Sequence, residues 1–178
     1  HMDIMGPCRN SAVLVENFIP SDGRLLGILA VPKPDGQTLA IKGSGILNLT
    51  DTMENGFVYF DLPEGAYRLF ILFTTKTGGG RDHYMNLIDS SSVKVLLDEV
   101  YEKHYARYSK YFGNVIAGFF SDEPELGNVK GYPFDNMLGQ KDIRLPWSDE
   151  LERKLTETWK EEFLTCLLYT SDAADDTP

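Results

Sequence analysis

The feature that most constrains this chain is a change of grammar at Lys76-Thr77-Gly78-Gly79-Gly80. Ahead of it, runs of strand composition recur at residues 12–18, 25–31, 38–41, 57–62 and 67–74. Turn clusters lie between them: Pro20-Ser21-Asp22-Gly23, Pro34-Asp35-Gly36, Glu54-Asn55-Gly56 and Pro63-Glu64-Gly65. Short apolar runs with this punctuation read as strands joined by tight connections, so residues 1–76 are expected to form an antiparallel β-sandwich-like unit. Phe57 with Tyr59 keeps to one face, and Tyr67, Leu69, Ile71 and Phe73 keep to one face, as a half-buried sheet requires.

Beyond the glycines the period lengthens. Asp89 to Ser92 supply N-cap candidates, and a helix is expected to run to about Phe112, where Gly113 is a natural stop. Its apolar side carries Val93, Leu96, Leu97, Val100, His104 and Tyr108 at spacings of three and four. Residues 115–120 are an almost unbroken apolar run, the composition of a strand buried on both faces of a parallel sheet. A long polar loop follows, then a helix over 151–163 with Ser148 as N-cap and Leu151, Leu155, Trp159 and Phe163 every four residues. Helix, buried strand, long loop and helix are α/β order. The expected fold is therefore an α+β fragment: a β-sandwich-like insertion over 1–76, then a partial (β/α)8-barrel segment over 77–165.

The last stretch, 166–178, differs in character. Cys166-Leu167-Leu168-Tyr169-Thr170-Ser171-Asp172-Ala173-Ala174-Asp175-Asp176 looks like the in-frame translation of a sequencing adapter, and it is set aside from fold reasoning as an expected artefact. On that reading the natural sequence stops in or just after a helix, and the chain is a piece of a longer protein. Without this tail the net charge moves from −10 to −7, because Asp172, Asp175 and Asp176 go, and Cys8 is the one cysteine left. An acidic balance of this size argues against nucleic acid or an anionic membrane as partner, since phosphate binding needs clustered Lys and Arg. No apolar run approaches the roughly 20 residues of a spanning helix. The compartment is left open.

The sharpest chemical feature is Ser121-Asp122-Glu123-Pro124-Glu125 at the end of the apolar run. In barrels the reacting groups stand at the C-terminal ends of strands, facing the mouth formed by the loops. Tyr132, Phe134 and Trp147 follow in the long loop. Aromatic rings stack on the apolar faces of sugars, while carboxylates bond hydroxyls and move protons. The same residues also suit plain solvated or capping carboxylates, or hard oxygen ligands for Ca²⁺ or Mg²⁺, although the spacing fits no metal-loop template. His83, in Arg81-Asp82-His83-Tyr84, is a further candidate if a strand runs nearby, against an ordinary exposed histidine. His104 is read as a packing residue. No nucleophile elbow and no phosphate loop is present, and no metal or cofactor is expected.

From about residue 1 to 165 the chain resembles the central part of large bacterial glycoside hydrolases of the α-L-rhamnosidase-like or family-2-like kind. The resemblance is carried by His1-Met2-Asp3-Ile4-Met5-Gly6-Pro7, Leu62-Pro63-Glu64-Gly65-Ala66-Tyr67-Arg68 and Tyr84-Met85-Asn86-Leu87-Ile88-Asp89. Tyr111-Phe112-Gly113, Gly118-Phe119-Phe120-Ser121-Asp122-Glu123-Pro124 and Pro146-Trp147-Ser148 complete it. It implies a (β/α)8 barrel interrupted by a β-rich insertion, with Glu123 as the catalytic acid/base. Asp122, Glu125, His83 and Trp147 would then serve as substrate-binding residues for a carbohydrate, with the second carboxylate on the remainder of the parent chain. The alternative is a carbohydrate-binding or structural segment that does no chemistry.

Overall fold

The structure is a computed structural model, and it describes residues 1–33, 45–77, 81, 83–122, 126, 145–160 and 163–172. The chain divides into two units, one holding His1–Gly78 and the segment from Trp159 onward, the other holding the described residues between 81 and 158. None of the described helices is long and apolar enough to cross a membrane.

The first unit is a curled antiparallel sheet. Its strands are β1 (Met2–Leu14), β2 (Arg24–Lys33), β3 (Leu47–Asn48), β4 (Met53–Glu54) and β5 (Phe57–Thr74), in the order β1-β5-β2-β3 with β4 also pairing β5. β5 is the organising strand. Its first residues lie between β1 and β4, and its later residues between β1 and β2. β4 turns into β5 through Asn55-Gly56, whose φ angles of +49° and +82° fit a tight hairpin that twists with its strands. Asp22 ties the far end of β5. Its carboxylate accepts hydrogen bonds from Thr75 Oγ1, Lys76 N and Thr77 Oγ1 at 2.8, 2.7 and 2.9 Å.

Alternation along the strands gives the sheet two unlike faces. The inner face buries Ile28, Ala30, Val58, Phe60, Leu62, Tyr67, Leu69 and Ile71, closed by Val15 and Leu49. On the outer face, Leu29, Val31 and Phe70 are buried beneath Leu164 of α4 (Phe163–Asp172). Further along the same face, Asp3 accepts hydrogen bonds from Lys33 Nζ at 2.8 Å and Arg68 Nε at 2.7 Å. Lys33 is 8% exposed, so this carboxylate satisfies a nearly buried ammonium.

In the second unit α1 (Ser90–Leu96) continues through one π turn (Leu97–Tyr101) into α2 (Glu102–Tyr108) and a 3-10 turn (Ser109–Tyr111). Asp89 caps it, its side chain accepting from Ser91 N and Ser92 N. Gly113, at φ +83°, follows the last turn, so both expected ends of this helix are observed. α3 (Asp149–Trp159) starts from Ser148, whose Oγ accepts from Leu151 N at 3.0 Å and donates to Ile88 O at 2.7 Å. The helix expected over 151–163 is broken at Lys160, φ +50°, so that Phe163 opens a different helix.

The expected fold class is overturned in three respects. The two strands expected at 57–62 and 67–74 are one 18-residue strand, so the unit has one curled sheet and not two stacked ones. Pro63-Glu64-Gly65, expected to turn the chain, passes through a register shift opposite Gly6 and Cys8, where irregular pairing tolerates the missing proline N–H. The partial (β/α)8-barrel segment is absent among the described residues. Residues 115–120 form no ladder beyond a single Phe112–Ile116 bridge, and Val115 and Phe120 are 78% and 88% exposed. Apolar composition alone does not supply the neighbouring strands that a buried strand needs. β1 also begins at Met2, well before the expected first strand, while the strand expected at 38–41 lies outside the described residues.

Candidate functional site

Of the residues singled out by sequence, Asp122, His83 and Trp147 are described, and no hydrogen bond or ion pair joins them to one another. Glu123 and Glu125 lie outside the described residues. Asp122 is exposed at the end of the irregular stretch after Gly113. His83 is exposed in a turn with φ +62°. Trp147 is half-buried and engaged locally: its indole N–H donates to Glu152 Oε2 at 3.0 Å, and its carbonyl accepts from Asn86 Nδ2 at 2.7 Å. Among the described residues no three His, Cys, Asp or Glu side chains are placed to hold a metal ion. His104, expected as a packing residue, is exposed. Its Nδ1–H donates to Val100 O at 2.7 Å and its ring meets Phe119 edge-on at 6.3 Å.

A different group does come together, on the outer face of the sheet where β4, β5 and β1 run side by side. Val58, Phe60 and Leu62 point inward, so Phe57, Tyr59 and Asp61 point out. Phe57 and Tyr59 remain 38% and 40% exposed, with ring centroids 6.5 Å apart and ring planes inclined by 41°. Leu14 of β1 stands opposite Phe57, and Ala12 opposite Tyr59. The small Ala12 leaves the tyrosine ring unshielded, while Leu14 extends the apolar surface.

Carboxylates flank this platform. Glu54 is the direct cross-strand neighbour of Phe57. Glu16 lies over Gly56, so close that an added Cβ there would be 2.4 Å from Glu16 Oε2. At the other end Asp61 Oδ1 accepts from Asn10 N at 2.6 Å, across the irregularity in β1 between Cys8 and Ser11. The arrangement offers two aromatic faces bordered by hydrogen-bond acceptors. That combination is chemically suited to a ligand with both C–H faces and polar donors.

Sequence patterning grouped Phe57 with Tyr59 but left open which face of β5 meets water, because both parities of 57–62 are apolar or aromatic. The one signal for the phase is Asp61, a charged residue that shares the parity of Phe57 and Tyr59. No protein-family description, curated protein or solved structure matches the chain.

Proposed function

We propose that this chain is a carbohydrate-binding segment of a glycoside-hydrolase-like protein, one that holds a sugar without cleaving it. The observation that carries the reading is the exposed Phe57–Tyr59 pair bordered by Glu54 and Asp61, with Glu16 over the adjoining turn at Gly56. The C–H face of a pyranose stacks on such rings, and its hydroxyls donate to carboxylates. An exposed aromatic surface rimmed by polar groups is a common mark of a binding site. The remainder of a parent chain would supply any catalysis.

Hydrolysis within this chain is the second reading. It rests on the motif Gly118-Phe119-Phe120-Ser121-Asp122-Glu123-Pro124 and on Glu123 as acid/base. One pair of experiments separates the two. Titration with soluble neutral hexasaccharides is expected to show binding that Tyr59→Ala weakens by at least about tenfold, the equivalent of ~1.4 kcal/mol. Turnover of aryl glycosides that Glu123→Gln abolishes would favour hydrolysis. Sugar binding unaffected by Phe57→Ala and Tyr59→Ala together would overturn the platform.

A further inference from the structure

We infer that the Phe57–Tyr59 platform takes a single curved glucan chain, one whose successive pyranose rings are inclined to each other, in preference to a straight β-1,4 ribbon or a crystalline face; this rests on the carbohydrate-binding reading above. The inference comes from the relation between the two rings. Phe57 and Tyr59 are alternate residues of β5 on one face, and two steps along a strand advance roughly 6.4–6.8 Å. Their centroids are 6.5 Å apart, so the rings keep the spacing of the backbone that carries them. That spacing is on the scale of one pyranose unit, so neighbouring sugars of one chain can meet one ring each. The ring planes, however, differ by 41°.

Stacking requires the C–H face of a sugar to lie parallel to the aromatic ring. A flat array is parallel to at most one of two planes inclined in this way. Successive rings of a β-1,4 glucan ribbon lie almost in one plane, and the face of crystalline cellulose is planar, so either engages Phe57 or Tyr59 but not both. In α-1,4 and β-1,3 glucans each linkage turns the next ring and the chain winds into a helix, so consecutive sugars stack on both side chains. The inclination has a backbone cause. Strands twist about their own axis, which rotates alternate outward residues relative to one another. The Asn55-Gly56 turn that opens β5 has the positive φ angles that accompany this twist. Aromatic neighbours also favour inclined or offset arrangements over a flat sandwich.

Isothermal titration of the 178-residue chain with maltohexaose, laminarihexaose and cellohexaose tests this, together with depletion by microcrystalline cellulose. At least one of the two curved hexamers is expected to bind about fivefold more tightly than cellohexaose, roughly 1 kcal/mol, the scale of one aromatic contact. Microcrystalline cellulose should deplete the chain no more than it depletes the Phe57→Ala, Tyr59→Ala double variant. In Phe57→Ala, which leaves one ring, binding should weaken and the ratio of curved to straight should fall toward one. Phe57 is exposed, and a thermal melt confirms folding. Cellohexaose bound as tightly as both curved hexamers, or depletion by cellulose that depends on the two rings, overturns the inference and leaves the binding reading intact. A preference that survives unchanged in Phe57→Ala does not come from the ring pair and overturns the inference as well. No binding to any hexamer or to cellulose overturns both.

Discussion

Leu164 of α4 fills a notch that Gly27 leaves in β2. A Cβ at position 27 would stand 2.4 Å from Leu164 Cδ1 and 3.2 Å from Thr50 Oγ1. The contact lets a helix lie against the outer face over Leu29, Val31 and Phe70, which would otherwise be an apolar surface in water.

Gly27→Ala is therefore expected to cost about 1 kcal/mol, at the low end of overpacking because the flexible end of Leu164 gives way first. Leu164→Ala should cost about 2 kcal/mol or more through the cavity it opens. In the Leu164→Ala background the penalty of Gly27→Ala should shrink to what the approach to Thr50 Oγ1 costs, which a urea-melt double-mutant cycle reads directly. Additive costs would show that the two residues do not meet.

Acid should destabilise the first unit through two aspartates. Hydrogen bonds from Thr75, Lys76 N and Thr77 lower the Asp22 carboxyl to about 2, and Arg68 and Lys33 hold Asp3 well below the usual carboxylate range. A depressed folded-state pKa contributes stability that is present above the unfolded value, about 3.9, and is lost as pH falls through the folded value. Thermal melts should therefore decline from about pH 4 down to about pH 2, the folded-state value of Asp22. Asp22→Asn and Asp3→Asn should each flatten that limb. Unchanged acid limbs in both variants would contradict these pairings.

Ser148 is nearly buried and bonds at both ends, to Ile88 O and from Leu151 N. Ser148→Ala should cost about 1–2 kcal/mol, by loss of an N-cap and of the donor to a carbonyl. The Leu151 amide should lose hydrogen-exchange protection ahead of the sheet amides. Uniform loss across the chain would show that the cap does not act locally.

The parts of this fold that were legible in the sequence are those fixed by neighbours in the chain. Asp89 before three serines, Gly113 after the helix and Ser148 before Asp149 all announced their ends, because caps satisfy orphaned backbone groups within a turn. Pairing partners were not legible. Residues 115–120 have the composition of a buried strand but, among the described residues, no strand beside them, and Pro63-Glu64-Gly65 has turn chemistry but meets an irregularity in β1 that absorbs it. The site depended on the same missing knowledge. Glu54 beside Phe57, and Leu14 and Ala12 across from the rings, come together only through the register of three strands.

The most direct test of carbohydrate binding at the Phe57–Tyr59 platform is chemical-shift mapping of the isotopically labelled chain during titration with soluble neutral hexasaccharides. Saturable shifts centred on Phe57, Tyr59, Ala12, Leu14 and Glu54 are expected. Shifts confined to His83, Asp122 and Trp147, or none at any ligand concentration, would contradict it.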